Sequence, residues 1–233
     1  GLHGVGVSVT NALSTQLDVT VWRDKQVATI GFSGGDVVAP LQTRAVTRGE
    51  KKNGTRVHIV PDVKYFDSPN IPQAELERLL RAKAVLMSGV KVTLTNEKTG
   101  QTQTWLYQDG LQGYLREHLE QDALIPLFSG SSFAGANDDQ FAEGEGAEWV
   151  LTWTREGALL RESYVNLIST PAGGTHEAGI REGVFGAVKS FIELHALLPK
   201  GVKLMPEDVF ARANFVLSAK VLDPQFQGQI KEK

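Results

Sequence analysis

The sequence predicts an α+β protein with two domains. Stretches in which apolar and polar side chains alternate, as in strands, occur beside stretches with the spacing of amphipathic helices. The two kinds do not follow the strand–helix–strand order of a parallel α/β fold. The 233 residues suit one large domain or two small ones. A change of composition near residue 108 divides the chain, and we expect domains at residues 1–107 and 108–233.

The first predicted elements are a short helix and a hairpin. Residues 7–13 have the apolar spacing of a helix. Residues 17–22 alternate as a strand does, and residues 27–32 form its predicted partner across the polar segment 23–26. Two glycines and an aspartate at residues 34–36 then predict a turn.

The rest of the first domain is expected to hold a strand, a helix and a second hairpin. A polar, basic loop at residues 49–54 precedes a strand at 56–60. Pro72 begins a helix, and residues 90–95 and 102–107 predict a hairpin. The predicted buried face of that helix contains Leu76, Leu79, Leu80, Ala84 and Met87.

The second domain begins with a predicted helix at residues 111–119. Residues 129–146 are rich in glycine, serine and acidic residues, so we expect a mobile surface loop there, and we assign its Asp138-Asp139 pair no role. Residues 149–154 and 163–168 are expected to be strands paired with each other.

A long helix and a final strand complete the prediction. Gly173-Gly174 interrupts the regular secondary structure. Thr175 is the expected N-cap of the helix that follows, which extends to residue 197. A helical turn at 207–212 and a strand at 214–221 follow, before an irregular tail. The side chains expected inside the long helix are Ile180, Val184, Ala187, Val188, Phe191 and Leu194.

The glycine-rich start of the chain is the first candidate site. Gly1-Leu2-His3-Gly4-Val5-Gly6 comes directly before a predicted helix. Glycines let the backbone approach a ligand closely, and a helix N-terminus presents unpaired N–H groups that favour phosphate. The spacing matches neither the dinucleotide fingerprint nor the P-loop. The glycines alone therefore fit a structural turn as well as a phosphate site.

The longer string at residues 1–14, GLHGVGVSVTNALS, resembles the third nucleotide-binding motif of gyrase B and topoisomerase IV B subunits. These bacterial type II topoisomerase chains belong to the GHKL ATPases. The resemblance implies that Leu2, His3, Gly4, Val5 and Gly6 hold the phosphates of ATP, flanked by Gly1 and by Val7 at the start of the helix. It also implies the C-terminal part of a GHKL (Bergerat) ATPase sandwich, followed by a ribosomal-S5-like transducer domain.

Further matches to this family lie along the whole chain. Thr55, in Asn53-Gly54-Thr55, matches a threonine of the adenine-side network. Arg23 matches an arginine at the pocket rim that aminocoumarin inhibitors contact. Gly173-Gly174-Thr175-His176 resembles a transducer-domain motif, in which we interpret His176 as structural and not as a metal ligand.

The C-terminal tail resembles the family's switch loop. Gln229 and Lys231 match the glutamine and lysine that reach the γ-phosphate, so the resemblance gives both a catalytic role. A lysine in that position would neutralise charge that grows in the phosphoryl-transfer transition state. Ile230 stands where the family usually has threonine.

The resemblance implies an ATP-dependent type II DNA topoisomerase, of which this chain is a fragment. The water-activating glutamate and the magnesium (Mg²⁺) ligand of the family lie upstream, so we expect the fragment alone to be inactive. The implied partners are DNA, a second copy that dimerises on ATP binding, and the topoisomerase IV A subunit. Topoisomerase IV fits better than gyrase, through residues 65–69, 107–111 and 199–204.

Two alternatives to this prediction remain. A gyrase B subunit remains the close second choice, and a non-enzymatic α+β dimerisation module would need the glycine loop only as a turn. Scattered basic residues could face DNA, although such residues are usually only solvated. They are Lys51, Lys52, Arg56, Arg181, Lys189, Lys200 and Lys203.

Overall fold

The computed structural model describes residues 4–68, 70–228 and 231–233. The chain forms two compact units, Gly1–Gln73 and Ala74–Lys233. Within the described residues, no helix is both long and apolar enough to cross a membrane.

The first unit is a helix followed by a four-stranded antiparallel sheet with the order β3-β2-β1-β4. Asp24 and Lys25 both have positive φ, 51° and 63°, which fits the tight turn that joins β1 to β2. Leu17 and Val27 are the buried apolar side chains of this sheet. Its elements are α1 (Gly6–Ala12), β1 (Ser14–Arg23), β2 (Gln26–Ser33), β3 (Asp36–Ala45), β4 (Gly54–Pro61) and a short 3-10 helix (Val63–Tyr65).

The edge strand β3 was not predicted. Pro40 lies within it, and a proline lacks the N–H that a strand needs for pairing. The register of β3 with β2 shifts between Thr29 and Gly31, where the pairing passes from Gln42 to Ala39 and leaves Pro40 out. Every residue of β3 is exposed, so no alternation of buried side chains marks the strand.

The second unit is built on a five-stranded mixed sheet with the order β10-β9-β11-β8-β7. The strand β11 lies at its centre, antiparallel to β8 and parallel to β9. Seven of its eight residues are buried, as expected for a strand covered on both faces. The strands are β7 (Phe128–Phe133), β8 (Gly146–Trp153), β9 (Arg161–Val165), β10 (Ile168–Ser169) and β11 (Ala213–Lys220).

Helices pack on both faces of this sheet. Val216 of β11 belongs to a core cluster with Leu115, while its neighbours Phe215 and Leu217 belong to another cluster, against which Ile180 packs. A two-stranded hairpin completes the unit. The remaining elements are α2 (Gln73–Leu86), β5 (Val92–Asn96), β6 (Gln101–Trp105), α3 (Gly110–His118), α4 (Thr175–Leu194) and α5 (Pro206–Phe210).

The compact units divide the chain earlier than the predicted domains do. Val85 and Leu86 of α2 pack in the same cluster as Leu111 and Leu115 of α3, so α2 is grouped with the second unit. A domain boundary at residues 107 and 108 stays a prediction.

Two predictions about strands in the second unit were wrong. The segments 149–154 and 163–168 do not pair with each other, because β11 lies between β8 and β9. The predicted loop at 129–146 begins as β7, which pairs with β8 in the register Ser129–Val150 to Phe133–Gly146. The remainder, between β7 and β8, is irregular.

Four expectations about helices also need correction. The long helix α4 ends at Leu194, before residue 197, and its N-cap is Gly174 instead of Thr175. Gly174 has a φ of 154°, which suits glycine and not threonine. The predicted inward side chains of Ala187, Phe191 and Leu194 are exposed, and so is Leu79 on α2.

Candidate functional site

The described part of the glycine-rich start has open space around its glycines. Gly4 has a φ of 63°, and a Cβ added at Gly4 or Gly6 would meet no atom within 4 Å. These glycines are therefore not required by close packing within the described chain. The predictions for Gly1, Leu2 and His3 concern positions outside the described residues.

The N-terminus of α1 presents backbone donors to solvent. Val5 is the N-cap, and its side chain makes no capping hydrogen bond. The N–H of Val9 donates to the carbonyl of Val5 at 2.9 Å, so the N–H groups of Gly6, Val7 and Ser8 precede the first intrahelical bond. The first turn contains no acidic residue, and Val7 is 74% exposed.

Backbone N–H groups at a helix N-terminus are donors of the kind that bind anions. The helix α1 has only seven residues. The hydroxyl of Thr10 donates to the Gly6 carbonyl at 2.9 Å, and the hydroxyl of Ser14 donates to Thr10 at 2.6 Å. The first bond lies within α1, and the second joins α1 to Ser14 at the start of β1.

Thr55 and Arg23 lie together at the opposite end of the sheet. Thr55 of β4 pairs with Val21, two residues before Arg23 on the neighbouring strand. Ser14, which follows α1, pairs instead with Pro61. Pro61 lies six residue steps beyond Thr55 in β4, a distance of about 20 Å. The Arg23 side chain is 80% exposed and forms an ion pair with Asp24 at 3.4 Å.

A polar network that the sequence did not reveal anchors the loop before Thr55. Glu50 accepts two hydrogen bonds from the Arg44 guanidinium, at 2.6 and 2.8 Å, and one from the Trp22 indole at 3.1 Å. The N–H and hydroxyl of Thr47 also donate to it. Hydrogen bonding from Arg44, then from Thr47 and Trp22, holds the pKa of the Glu50 carboxyl far below its usual range.

Lys231 belongs to the second unit and is among the described residues. The prediction for Gln229 concerns a residue outside the described part of the chain. The Lys231 backbone has a φ of 59°, and its Nζ atom lies 5.9 Å from the centre of the Phe226 ring. The tail closes on itself, because the Gln227 N–H donates to the Lys233 carbonyl at 2.8 Å.

The connection before α4 holds the tail. The Ala172 N–H donates to the carbonyl of Glu232, next to Lys231, at 2.9 Å. Gly173 and Gly174 follow with φ values of 77° and 154°. The tail also borders a cavity of about 820 Å³ within the second unit, whose lining includes Phe133, His176, Lys220 and Phe226.

His176 takes part in a hydrogen-bond network within this connection. Its Nε2 atom lies 2.8 Å from the Thr170 hydroxyl, which donates to the Ser163 carbonyl at 3.0 Å. The Ser163 hydroxyl in turn donates to Glu177 at 3.3 Å. Burial lowers the pKa of His176. Among the described residues, no group of three acidic or histidine side chains could hold a metal ion.

Comparisons with known proteins agree on one family. The DNA gyrase B family model matches residues 110–233. The B subunit of DNA topoisomerase 4 from Salmonella typhimurium (strain LT2) is 47% identical over 234 residues, which cover 100% of this chain and 36% of that protein. This chain therefore spans about a third of the length of the curated relatives that it matches.

Two solved structures resemble the chain closely. The ATP-binding domain of Francisella tularensis topoisomerase IV, in complex with a small-molecule inhibitor, has a TM-score of 0.80 at 37% identity. The match covers 99% of this chain and 61% of that one. The 43K ATPase domain of Thermus thermophilus gyrase B, in complex with an aminocoumarin, has a TM-score of 0.79 at 28% identity. That match covers 97% and 61% of the two chains.

Proposed function

The chain belongs to the DNA gyrase B family, and on that premise we propose that it is the ATPase region of an ATP-dependent type II DNA topoisomerase. The likeness extends from the glycine-rich start to the tail that carries Lys231, over 100% of the chain at 47% identity. This end-to-end likeness to the topoisomerase 4 B subunit carries the proposal, because it includes both segments for which a phosphate contact is predicted.

The phosphate contacts are proposed to come from two segments. The backbone N–H groups of residues 1–7 would hold the phosphates, and the open space at Gly4 and Gly6 leaves room for a ligand there. Lys231, with Gln229, would contact the γ-phosphate and stabilise the charge that develops during its transfer. The cation of Lys231 belongs to a tail that is fixed to the rest of its unit by the Ala172–Glu232 hydrogen bond.

The adenine side is proposed to lie near Thr55. Arg23 is at the same end of the sheet and largely exposed, so it is available at a rim, where an aminocoumarin-type inhibitor could contact it. The described residues offer no metal-binding group, and the magnesium ligand is expected upstream of Gly1. The part proposed for this chain is to hold and orient the nucleotide.

The whole protein is proposed to couple ATP binding to dimer closure and DNA strand passage. Topoisomerase IV is preferred to gyrase, because the topoisomerase IV structure is 37% identical to this chain and the gyrase structure 28%. The proposed partners are the A subunit of topoisomerase IV, DNA and a second copy of the same protein. We propose a cytoplasmic location for the assembly.

The test is nucleotide-dependent dimerisation of the full-length protein, measured by analytical ultracentrifugation with a non-hydrolysable ATP analogue. The wild type should form dimers only with the analogue, and Lys231→Ala should abolish this response. Lys220→Ala is the matched control, since the Nζ atom of Lys220 also lies over a phenylalanine ring, that of Phe133, at 5.2 Å. If the molecular mass of the wild type is the same with and without the analogue, the result would instead support a non-enzymatic module.

A further inference from the structure

A turn between two strands holds the start of the tail that leads to Lys231. Asn166 and Leu167 form the turn between β9 and β10, with φ values of 49° and 67°. The Asn166 side-chain amide donates to the Val221 carbonyl at 2.8 Å, and its oxygen accepts the Val221 N–H at 2.9 Å. The Asn166 side chain therefore forms hydrogen bonds with both the N–H and the carbonyl of Val221, the first residue after β11.

The neighbouring residue is fixed from another loop. The N–H of Leu222 donates to a carboxylate oxygen of Glu145 at 2.5 Å, and the second oxygen of Glu145 accepts the Ala142 N–H at 2.9 Å. These bonds, the one from Leu222 first, lower the pKa of Glu145. Val221 and Leu222 are thus held in position before the chain turns away from the sheet.

The same connection also holds the far end of the tail. Residues 166–174, between β9 and α4, contain Asn166 at one end and Ala172 near the other. Ala172 donates to the carbonyl of Glu232, beside Lys231. The segment between Val221 and Glu232 is therefore attached at both ends to one short stretch of chain.

We propose that Asn166 is a positioning residue for Lys231, setting the path of the tail through its two hydrogen bonds to Val221. This inference rests on the proposed role of Lys231 and deepens it. Asparagine suits the position for two reasons. It tolerates a left-handed backbone better than most residues, and its amide provides both a donor and an acceptor. Glycine would satisfy the first requirement and not the second.

The decisive variant is Asn166→Gly. It keeps a residue suited to the left-handed turn and removes the clamp, that is, the two hydrogen bonds from the Asn166 side chain to the Val221 backbone. In the full-length protein, we expect the turnover of ATP to fall by about 10-fold to 100-fold, because a displacement of about 1 Å can have that effect. The affinity for ADP should stay near the wild-type value, since ADP lacks the phosphate that Lys231 would contact. A general loss of structure would lower both.

Asn96→Gly is the matched control. Asn96 also lies beside a hairpin turn, and its side-chain oxygen accepts the N–H groups of Lys98 and Thr99 at 3.0 and 3.3 Å. Its hairpin carries no residue of the proposed site, so turnover should be unchanged. Asn166→Asp keeps the acceptor for the Val221 N–H and loses the donor, so its turnover should lie between those of Asn166→Gly and the wild type.

Lys231→Ala separates the two proposals. If Lys231→Ala leaves turnover unchanged, the proposed role of Lys231 is wrong. If it abolishes turnover while Asn166→Gly behaves like Asn96→Gly, only the positioning role is wrong. The double variant Asn166→Gly/Lys231→Ala should be no slower than Lys231→Ala alone, because the clamp acts through the lysine.

Should Asn166→Gly fold poorly, Asn166→Asp decides: wild-type turnover overturns the proposal, and reduced turnover with normal ADP affinity supports it.

Discussion

Single residues determine how the loop before Thr55 is held, and Glu50 is the clearest case. Glu50→Gln should lower the melting temperature at pH 7, because it replaces a charged acceptor of the Arg44 fork with an amide. Since the pKa of Glu50 is lowered in the folded state, its contribution is complete above the ordinary glutamate pKa. That contribution is lost as the pH falls through the folded pKa.

Thermal melts at several pH values measure this effect. The melting temperatures of the wild type and Glu50→Gln should differ most near pH 7 and converge as the solution is acidified. Glu97→Gln, in the turn of the β5–β6 hairpin, is the control. A difference that grows on acidification would contradict the assignment.

Gly130 tests the packing of β7 against β8 at the same scale. A Cβ added there would lie 2.5 Å from the Trp149 ring, so Gly130→Ala must displace the indole or the strand. We expect the free energy of unfolding to fall by about 1–3 kcal/mol, as for other overpacked sites. Gly135→Ala is the control, because its Cβ would meet nothing within 4 Å. Equal stability of the two variants in urea denaturation would show that β7 does not pair as described.

The helices of the second unit differ strongly in how far they are buried. Leu115 of α3 is 0% exposed, whereas Leu194 at the end of α4 is 80% exposed. Leu115→Ala should lower the free energy of unfolding of this chain by about 2–5 kcal/mol. Leu194→Ala should change it by less than about 0.5 kcal/mol. Comparable losses in denaturant titrations would mean that the end of α4 is covered.

Local patterns predicted elements better than they predicted pairings. The alternation at residues 17–22 and 27–32 sufficed for the β1–β2 hairpin, because its two strands are neighbours in sequence. The order of the second sheet could not be obtained in this way. The strand β11 lies between β8 and β9, although it follows β9 by about 50 residues in the sequence. The local alternation of apolar and polar residues does not indicate a pairing between strands so far apart.

In the candidate site, too, local sequence motifs could be predicted and contacts between distant residues could not. The motif at residues 1–14 and the residues Gln229 and Lys231 were predicted from sequence strings. The contacts of Asn166 with Val221 and of Arg44 with Glu50 were not, because they depend on how separate turns and strands come together.

At the scale of the whole molecule, this chain matches 36% of the length of the Salmonella typhimurium protein. The resemblance to the GHKL ATPases implies that the residue that activates water lies before the glycine-rich motif. We therefore expect the purified 233-residue chain to release no phosphate from ATP above background. The same assay on the full-length protein provides the positive control. Turnover that co-purifies with the chain alone and survives Lys231→Ala would contradict the assignment.

The most direct test of the central claim is the effect of Lys231→Ala on nucleotide selectivity and turnover in the full-length protein. Removing one charge-stabilising group at a transferred phosphate typically reduces turnover by about 100-fold to 1000-fold. The proposal predicts a loss of that size and weaker binding of a non-hydrolysable ATP analogue, with unchanged affinity for ADP. Wild-type turnover, or an equal loss of affinity for ADP and the analogue, would contradict a γ-phosphate contact at Lys231.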